Sequence, residues 1–203
     1  LFNFYVSDGC VTNPKIKTIV EKYQNFKYLT FNLPQKIILG YEKISYHYKL
    51  FLNHIFDCLN YSKAIIIEDD LELSSDFLNY FLKMSPLLEN DESLFCISAW
   101  HDNGLAQYAH DPYKFMRTDL FPGLGWMLTR RFWDEIKSNW PKAYWDEYLR
   151  ISDSRKNRTC IYPEISRVRN FGSVGMNEII FFDNFIKPII NNVFPVNYDL
   201  VNL

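Results

Sequence analysis

Short apolar runs alternate with helix-like spacing over the first forty residues: a strand near Phe2 to Val6, a helix near Pro14 to Tyr23 and a strand near Lys27 to Phe31. This βαβ rhythm predicts a layered α/β domain. From Tyr41 to Leu59 the apolar residues Tyr41, Ile44, Tyr48, Phe51, Leu52, Ile55 and Leu59 recur at helical spacing. They predict one buried stripe, which leaves Lys43 and His47, one turn apart, together on another face. Ala64-Ile65-Ile66-Ile67 is too short for a typical helix and reads as a buried strand. A helix near Ser75 to Met84 follows, and then a second apolar run from Leu94 to Trp100 that ends in the polar turn His101-Asp102-Asn103-Gly104. Phe121-Pro122-Gly123-Leu124-Gly125 predicts a tight loop before a short strand. Arg130 to Trp140 reads as a helix ended by Pro141, and the tail from Arg158 onward mixes short strands and turns.

The Ile65 strand delivers three adjacent carboxylates at its end, Glu68, Asp69 and Asp70. Ligands of α/β sheets collect beyond the carboxyl ends of the strands. Three clustered anions repel one another and resist desolvation, so a hard divalent cation among them, holding a diphosphate, is one reading. The other is a solvated turn before a helix, with Ser74, Ser75 and Asp76 available to cap Phe77 to Met84. The glycines near Gly123 do not have the spacing of a dinucleotide-binding fingerprint.

Composition narrows the field. With 203 residues the chain is long enough for one substantial core. A net charge of -2 without a Lys/Arg block argues against nucleic acid or an acidic membrane surface as principal partner. Aromatic residues make up 18%, which suits either sugar and nucleotide faces or an aromatic core. No apolar stretch approaches the ~18 residues of a membrane span. The opening Leu1-Phe2-Asn3-Phe4-Tyr5-Val6-Ser7 looks like a strand already under way, without an initiator Met. The expectation is therefore a fragment whose upstream part, including any targeting segment, is missing. Cys10, Cys58, Cys96 and Cys160 are too far apart for zinc-ligand spacing, which leaves disulfides or buried thiols. The sequons Asn60-Tyr61-Ser62 and Asn157-Arg158-Thr159 fit a secretory-pathway protein.

Five motifs stand in order along the chain: Glu68-Asp69-Asp70-Leu71-Glu72, Ser98-Ala99-Trp100-His101-Asp102-Asn103-Gly104, Arg117 to Trp126, Trp140-Pro141-Lys142-Ala143-Tyr144-Trp145-Asp146, and Cys160 to Arg167. In order and spacing they closely resemble glycosyltransferase family 13, over nearly the whole chain. The resemblance implies a GT-A fold, a Rossmann-like nucleotide-binding half (residues 1–104) fused to an acceptor-binding half (105–203). It also implies Mn²⁺ as cofactor, UDP-GlcNAc as donor, and inverting transfer of GlcNAc in β linkage to the 2-hydroxyl of an α-1,3-linked mannose on an N-glycan. The full-length protein would be a Golgi type II membrane enzyme with a lumenal catalytic domain.

Carried over by position, Asp70 matches the acid that binds the metal directly, and Asp69 one that contacts the nucleotide sugar. His47, within Lys43-Ile44-Ser45-Tyr46-His47-Tyr48, matches a donor-binding histidine, and Asp146 matches the catalytic base. A sugar hydroxyl is a poor nucleophile, so a carboxylate must accept its proton as the new bond forms. Ser7-Asp8-Gly9-Cys10 is one residue shorter than the family's loop, and the uracil-side acid aligns with Asp8. Asn177 stands where the family has a donor-contacting serine. The resemblance pairs Cys96 with Cys160, gives Cys10 a partner upstream of the chain, and leaves Cys58 as a buried thiol. Rival readings are a β-1,2-N-acetylglucosaminyltransferase acting on protein O-mannose, a non-catalytic nucleotide-sugar binding module, and a metal-dependent phosphohydrolase built on Glu68 to Asp70.

Overall fold

The computed structural model describes residues 2–9, 14–34, 37, 39–172 and 182–201. Cys10 and Asn177 lie outside the described residues. Backbone proximity divides the chain into two compact units, Leu1–Tyr61 with Lys137–Tyr148, and Ser62–Ile136 with Leu149–Leu203.

The first unit opens with the expected βαβ element. Strand β1 (Phe4–Asp8) pairs in parallel with β2 (Phe26–Thr30) from Phe4↔Phe26 to Asp8↔Thr30, and α1 (Pro14–Val20) makes the crossover. Pro14 suits the first position of a helix, where its missing N–H costs nothing. Helix α2 (Gly40–Asn53) then continues into a π-helical turn, His54–Cys58. Its buried face differs from the expected stripe: Ser45, Tyr48, Leu52 and Phe56 are buried, whereas Ile44 and Leu59 are exposed. The reason is Ser45. Its hydroxyl donates to the Pro141 carbonyl at 2.6 Å, and its own carbonyl accepts from Trp140 Nε1 at 2.9 Å. A small residue with both polar groups satisfied lets the Trp140 region lie close against the helix, which rotates the buried face towards it. Cys58 is exposed rather than buried, because the face it occupies at the end of the π-helical turn is solvated.

The second unit is built on a mixed five-stranded sheet in the order β3-β7-β5-β8-β6. Its strands are β3 (Lys63–Ile66), β5 (Leu94–Ser98), β6 (Phe115–Thr118), β7 (Trp126–Thr129) and β8 (Thr159–Pro163). Central β5 is buried throughout, as a continuous apolar run demands. By contrast β3 lies at the sheet edge, antiparallel to β7, and only Ile66 of its four residues is fully buried. The strand expected there forms, but it is not a buried central one. Helix α3 (Phe77–Asn90) buries Phe77, Tyr80, Phe81, Met84 and Leu88 at helical spacing and shares a core with Leu94, Ile97 and Trp100. The tight loop before β7 forms as expected, with Gly123 at φ 71° and Gly125 at φ 70°. Helix α4 (Arg130–Ile136) ends four residues before Trp140, in a 3-10 turn.

Asp76 does not cap α3 through its side chain. It is instead a buried anion at the centre of a polar cluster. Arg167, fully buried, donates from Nε to Asp76 Oδ2 at 2.8 Å, and the Tyr198 hydroxyl donates to the same oxygen at 2.7 Å. Ser74 Oγ and Asn192 Nδ2 donate to Oδ1 at 2.7 and 3.0 Å.

A disulfide joins Cys96 of β5 to Cys160 of β8, adjacent parallel strands, across 64 residues of sequence. Replacing both cysteines by serine is expected to lower unfolding stability by about 2–4 kcal/mol, since the unfolded chain regains a long loop. Denaturant titration of wild type and variant would measure it, and an unchanged midpoint would remove the bridge as a stabilising element.

Glu164 follows β8 and is buried. Burial alone would raise its carboxyl, but the His110 N–H at 2.8 Å, the Lys114 ammonium at 2.6 Å and the Asp111 N–H at 3.1 Å overrule it and hold it down to about 2. A carboxyl depressed on folding stabilises fully above its ordinary value of 4.5, and the contribution is lost as pH falls from there towards 2. Glu164→Gln is expected to flatten stability against pH in that window. A variant curve as steep as wild type between pH 4.5 and 2 would assign the acid sensitivity elsewhere.

Candidate active site

At the end of β3 the chain turns through Glu68, Asp69 and Asp70 and enters β4 (Leu71–Leu73), which pairs antiparallel with β9 (Val168–Asn170). This ribbon seats Asp70. Asn170 Nδ2 donates to Asp70 Oδ2 at 3.1 Å, and the Phe171 N–H donates to the Asp70 carbonyl at 2.9 Å. The Gly172 N–H donates to Asn170 Oδ1 at 2.8 Å, which fixes the amide's orientation. Any Cβ at Gly172 would collide with Asp70 Oδ2, so only glycine permits this approach. Asp70 Oδ1, in contrast, is buried and has no hydrogen-bond partner among the described residues. Burial pushes the Asp70 carboxyl up, Asn170 draws it part of the way back, and Asp69 adds to the rise. A buried carboxylate oxygen without a donor is costly, and a hard cation is the kind of group that would satisfy it.

Glu68, Asp69 and Asp70 do not converge on one point. Among the described residues no group of three or more His, Cys, Asp or Glu side chains is placed to hold an ion, and Asp69 is exposed. The expectation of a cation surrounded by all three acids is therefore corrected to a single seated carboxylate, Asp70. The physical reason is the ribbon, which turns Asp70 towards Asn170 while Asp69 beside it stays exposed to solvent. One protein carboxylate, completed by phosphate oxygens and water, is a common way to hold a small divalent cation.

In the first unit the residues at the end of β1 meet α2. His47 Nε2 shares a hydrogen bond of 2.7 Å with Ser7 Oγ, and the Tyr28 hydroxyl of β2 donates to Asp8 Oδ2 at 2.6 Å. The His47 ring packs over Gly9 so closely that a Cβ there would come within 2.7 Å of Nδ1. Phe31, Phe51 and His54 belong to the same cluster: Phe31 lies against both histidines, and Phe51 meets His47 edge-on at 5.4 Å. Burial lowers the His47 pKa, and Asp8 opposes it in part. Near neutral pH the balance favours the uncharged imidazole, which can both donate and accept.

Asp146 lies in the first turn of α5 (Trp145–Arg150), just after Tyr144 at φ 54°. Its neighbour Trp145 is buried and stacks on Tyr48 of α2, ring centroids 4.0 Å apart, with Trp140 parallel to it at 6.1 Å. Tyr144 in turn packs on Tyr41, 4.5 Å away. Successive residues of a helix point about 100° apart. Thus α2 presents His47 to Ser7 and Asp8, while Tyr48 beside it holds the segment that carries Asp146.

The family model described as "GNT-I family" matches residues 4–203. The chain belongs to the GNT-I family. It is 43% identical over 166 residues to the alpha-1,3-mannosyl-glycoprotein 2-beta-N-acetylglucosaminyltransferase of Arabidopsis thaliana, a match covering 82% of this chain and 37% of that protein. It thus spans well under half the length of that relative. The solved structure of A197 from STIV aligns over 96% of this chain and 95% of its own, at 13% identity and a TM-score of 0.46.

Of the residues that the GNT-I resemblance singled out, the structure brings Asp8 and His47 into one cluster and seats Asp70 in the ribbon beside exposed Asp69. Asp146 is half-buried on its own helix, and Asn177 falls outside the described residues. Sequence reasoning missed Asn170 and Gly172. Nothing in Arg169-Asn170-Phe171-Gly172 marks them, because their role arises only when β9 pairs with a strand almost a hundred residues earlier. Tyr28 was equally silent, an ordinary strand tyrosine until parallel pairing sets β2 beside β1.

Proposed function

We propose that this chain is the catalytic portion, of GT-A type, of a Mn²⁺-dependent inverting β-1,2-N-acetylglucosaminyltransferase that moves GlcNAc from UDP-GlcNAc to the α-1,3-linked mannose of N-glycans. The full-length protein would work in the Golgi lumen as a type II membrane enzyme. Family membership and the name of the Arabidopsis relative support the transferase reading. The observation that carries the nucleotide part is the buried, unpartnered Oδ1 of Asp70 in a cradle only glycine allows.

On this reading Asp70 holds the cation, which when bound neutralises negative charge building on the UDP leaving group. Ser7, Asp8 and His47 orient the nucleotide sugar, with Asp8 kept in place by the Tyr28 hydroxyl. Asp69 remains free to reach the donor. Asp146 accepts the proton of the attacking mannose hydroxyl in a single displacement, which inverts the anomeric carbon.

Asp70→Ala tests the proposal in the full-length protein. Mn²⁺-dependent UDP binding, followed by calorimetry, is expected to weaken roughly tenfold to a hundredfold, the value of a lost charge-assisted contact. The fold should survive, because the substitution removes an unsatisfied buried oxygen. Unchanged metal dependence in a folded variant would reassign the ligand, and UDP release without glycan transfer in the wild type would favour a hydrolase.

A further inference from the structure

The sequon Asn60-Tyr61-Ser62 begins one residue past the π-helical turn, after Leu59. Asn60 is exposed, in the left-handed region at φ 60°, and its side chain makes no hydrogen bond among the described residues. Tyr61 is tethered behind it: its hydroxyl bonds that of Tyr5 at 2.9 Å, and the two rings meet edge-on. The second sequon is differently engaged. Asn157 Oδ1 accepts from Ser152 Oγ at 2.5 Å, its N–H donates to the Ser152 carbonyl at 3.0 Å, and Arg158 is paired with Glu135 at 2.9 Å. Of these two asparagines, Asn60 combines exposure with an unengaged amide.

An independent observation lies two residues earlier. Cys58 is a free, exposed thiol, and Asp57, Leu59 and Asn60 around it are exposed as well. The chain also carries the Cys96–Cys160 disulfide, a feature of oxidising compartments. There an exposed thiol exchanges with other disulfides and links chains together unless something bulky covers it. Two residues of chain reach at most about 7 Å, so a large group on Asn60 lies within reach of the Cys58 thiol.

We propose that Asn60 carries an N-linked oligosaccharide and that this glycan shields the Cys58 thiol. The donor class is an oligosaccharide on a lipid diphosphate. Asn60 Nδ2 forms a bond to the anomeric carbon as the carbon–oxygen bond to the diphosphate breaks. The diphosphate leaves with the electron pair, and the amide nitrogen gives up one proton. The inference rests on the lumenal placement proposed above.

The test uses the full-length protein made in cells with an N-glycosylation route, and peptide mass mapping with and without an N-glycan amidase. The expected result is an occupied Asn60 that becomes bare in Asn60→Gln and in Ser62→Ala. Both variants should label severalfold faster at Cys58 with a bulky maleimide and form disulfide-linked dimers, and Cys58→Ser added to Asn60→Gln should abolish the dimers. A bare Asn60 in wild-type protein whose Cys96 and Cys160 are joined overturns the inference alone. If that pair is reduced in the cell, the lumenal reading fails with it. An occupied Asn60 whose removal leaves Cys58 labelling unchanged overturns the shielding.

Discussion

Asp146→Asn is expected to leave UDP-GlcNAc affinity intact while glycan transfer falls by a factor on the order of 10² to 10⁴. Asparagine has nearly the shape of aspartate, so the Trp145–Tyr48 stack and the packing of Tyr144 on Tyr41 should persist. What disappears is basicity. At neutral pH an amide cannot take the proton of the mannose hydroxyl, and the lost factor corresponds to roughly 3 to 5 kcal/mol in the transition state. Glu147, adjacent and exposed, is the natural control, and Glu147→Gln should change transfer little. Donor affinity by calorimetry and transfer to a mannose-terminated N-glycan would be measured side by side. Near-normal turnover with intact binding removes Asp146 from the mechanism.

Hydrophobic spacing carried the local elements well, because strands and helices declare themselves over a few residues. The βαβ start, the Leu94 strand and the loop at Gly123 to Gly125 are all present where apolar runs and glycines put them. It erred where a polar residue is buried or an apolar one exposed. Ser45 lies under Trp140 because both of its polar groups find partners there, and no hydropathy pattern marks such a residue as core. The exposed Cys58 runs against the usual burial of free cysteine. For the site, residue pattern alone reached the acidic turn and stopped with two readings open. The identities of Asp8, His47 and Asp146 came from motif resemblance, since a lone histidine on a helix or an acid beside another acid has no distinctive spacing. Asn170 and Gly172 depend on long-range strand pairing, which no local window contains.

The buried ion pair beneath β9 supplies the other large effect. Arg167→Met is expected to lower unfolding stability by about 3 to 5 kcal/mol, because it strands the Asp76 carboxylate in the core without its cation. The guanidinium also donates to the carbonyls of Ile165 and Pro112, and lies 5.9 Å from the ring centroids of Tyr80 and Phe115. Its backbone is equally committed, with the N–H donating to the Ala99 carbonyl at 2.7 Å and the carbonyl accepting from the Ser74 N–H at 2.9 Å. Val168 to Asn170 follow at once, so the arginine anchors the strand that brings Asn170 to Asp70. Asp76→Asn in the Arg167→Met background removes the stranded charge and should recover part of the loss, so the double variant costs less than the sum of the two singles. Denaturant unfolding of the four proteins gives the coupling. A single variant within about 1 kcal/mol of wild type, the value of an ordinary surface pair, would show that the pair does not hold the ribbon.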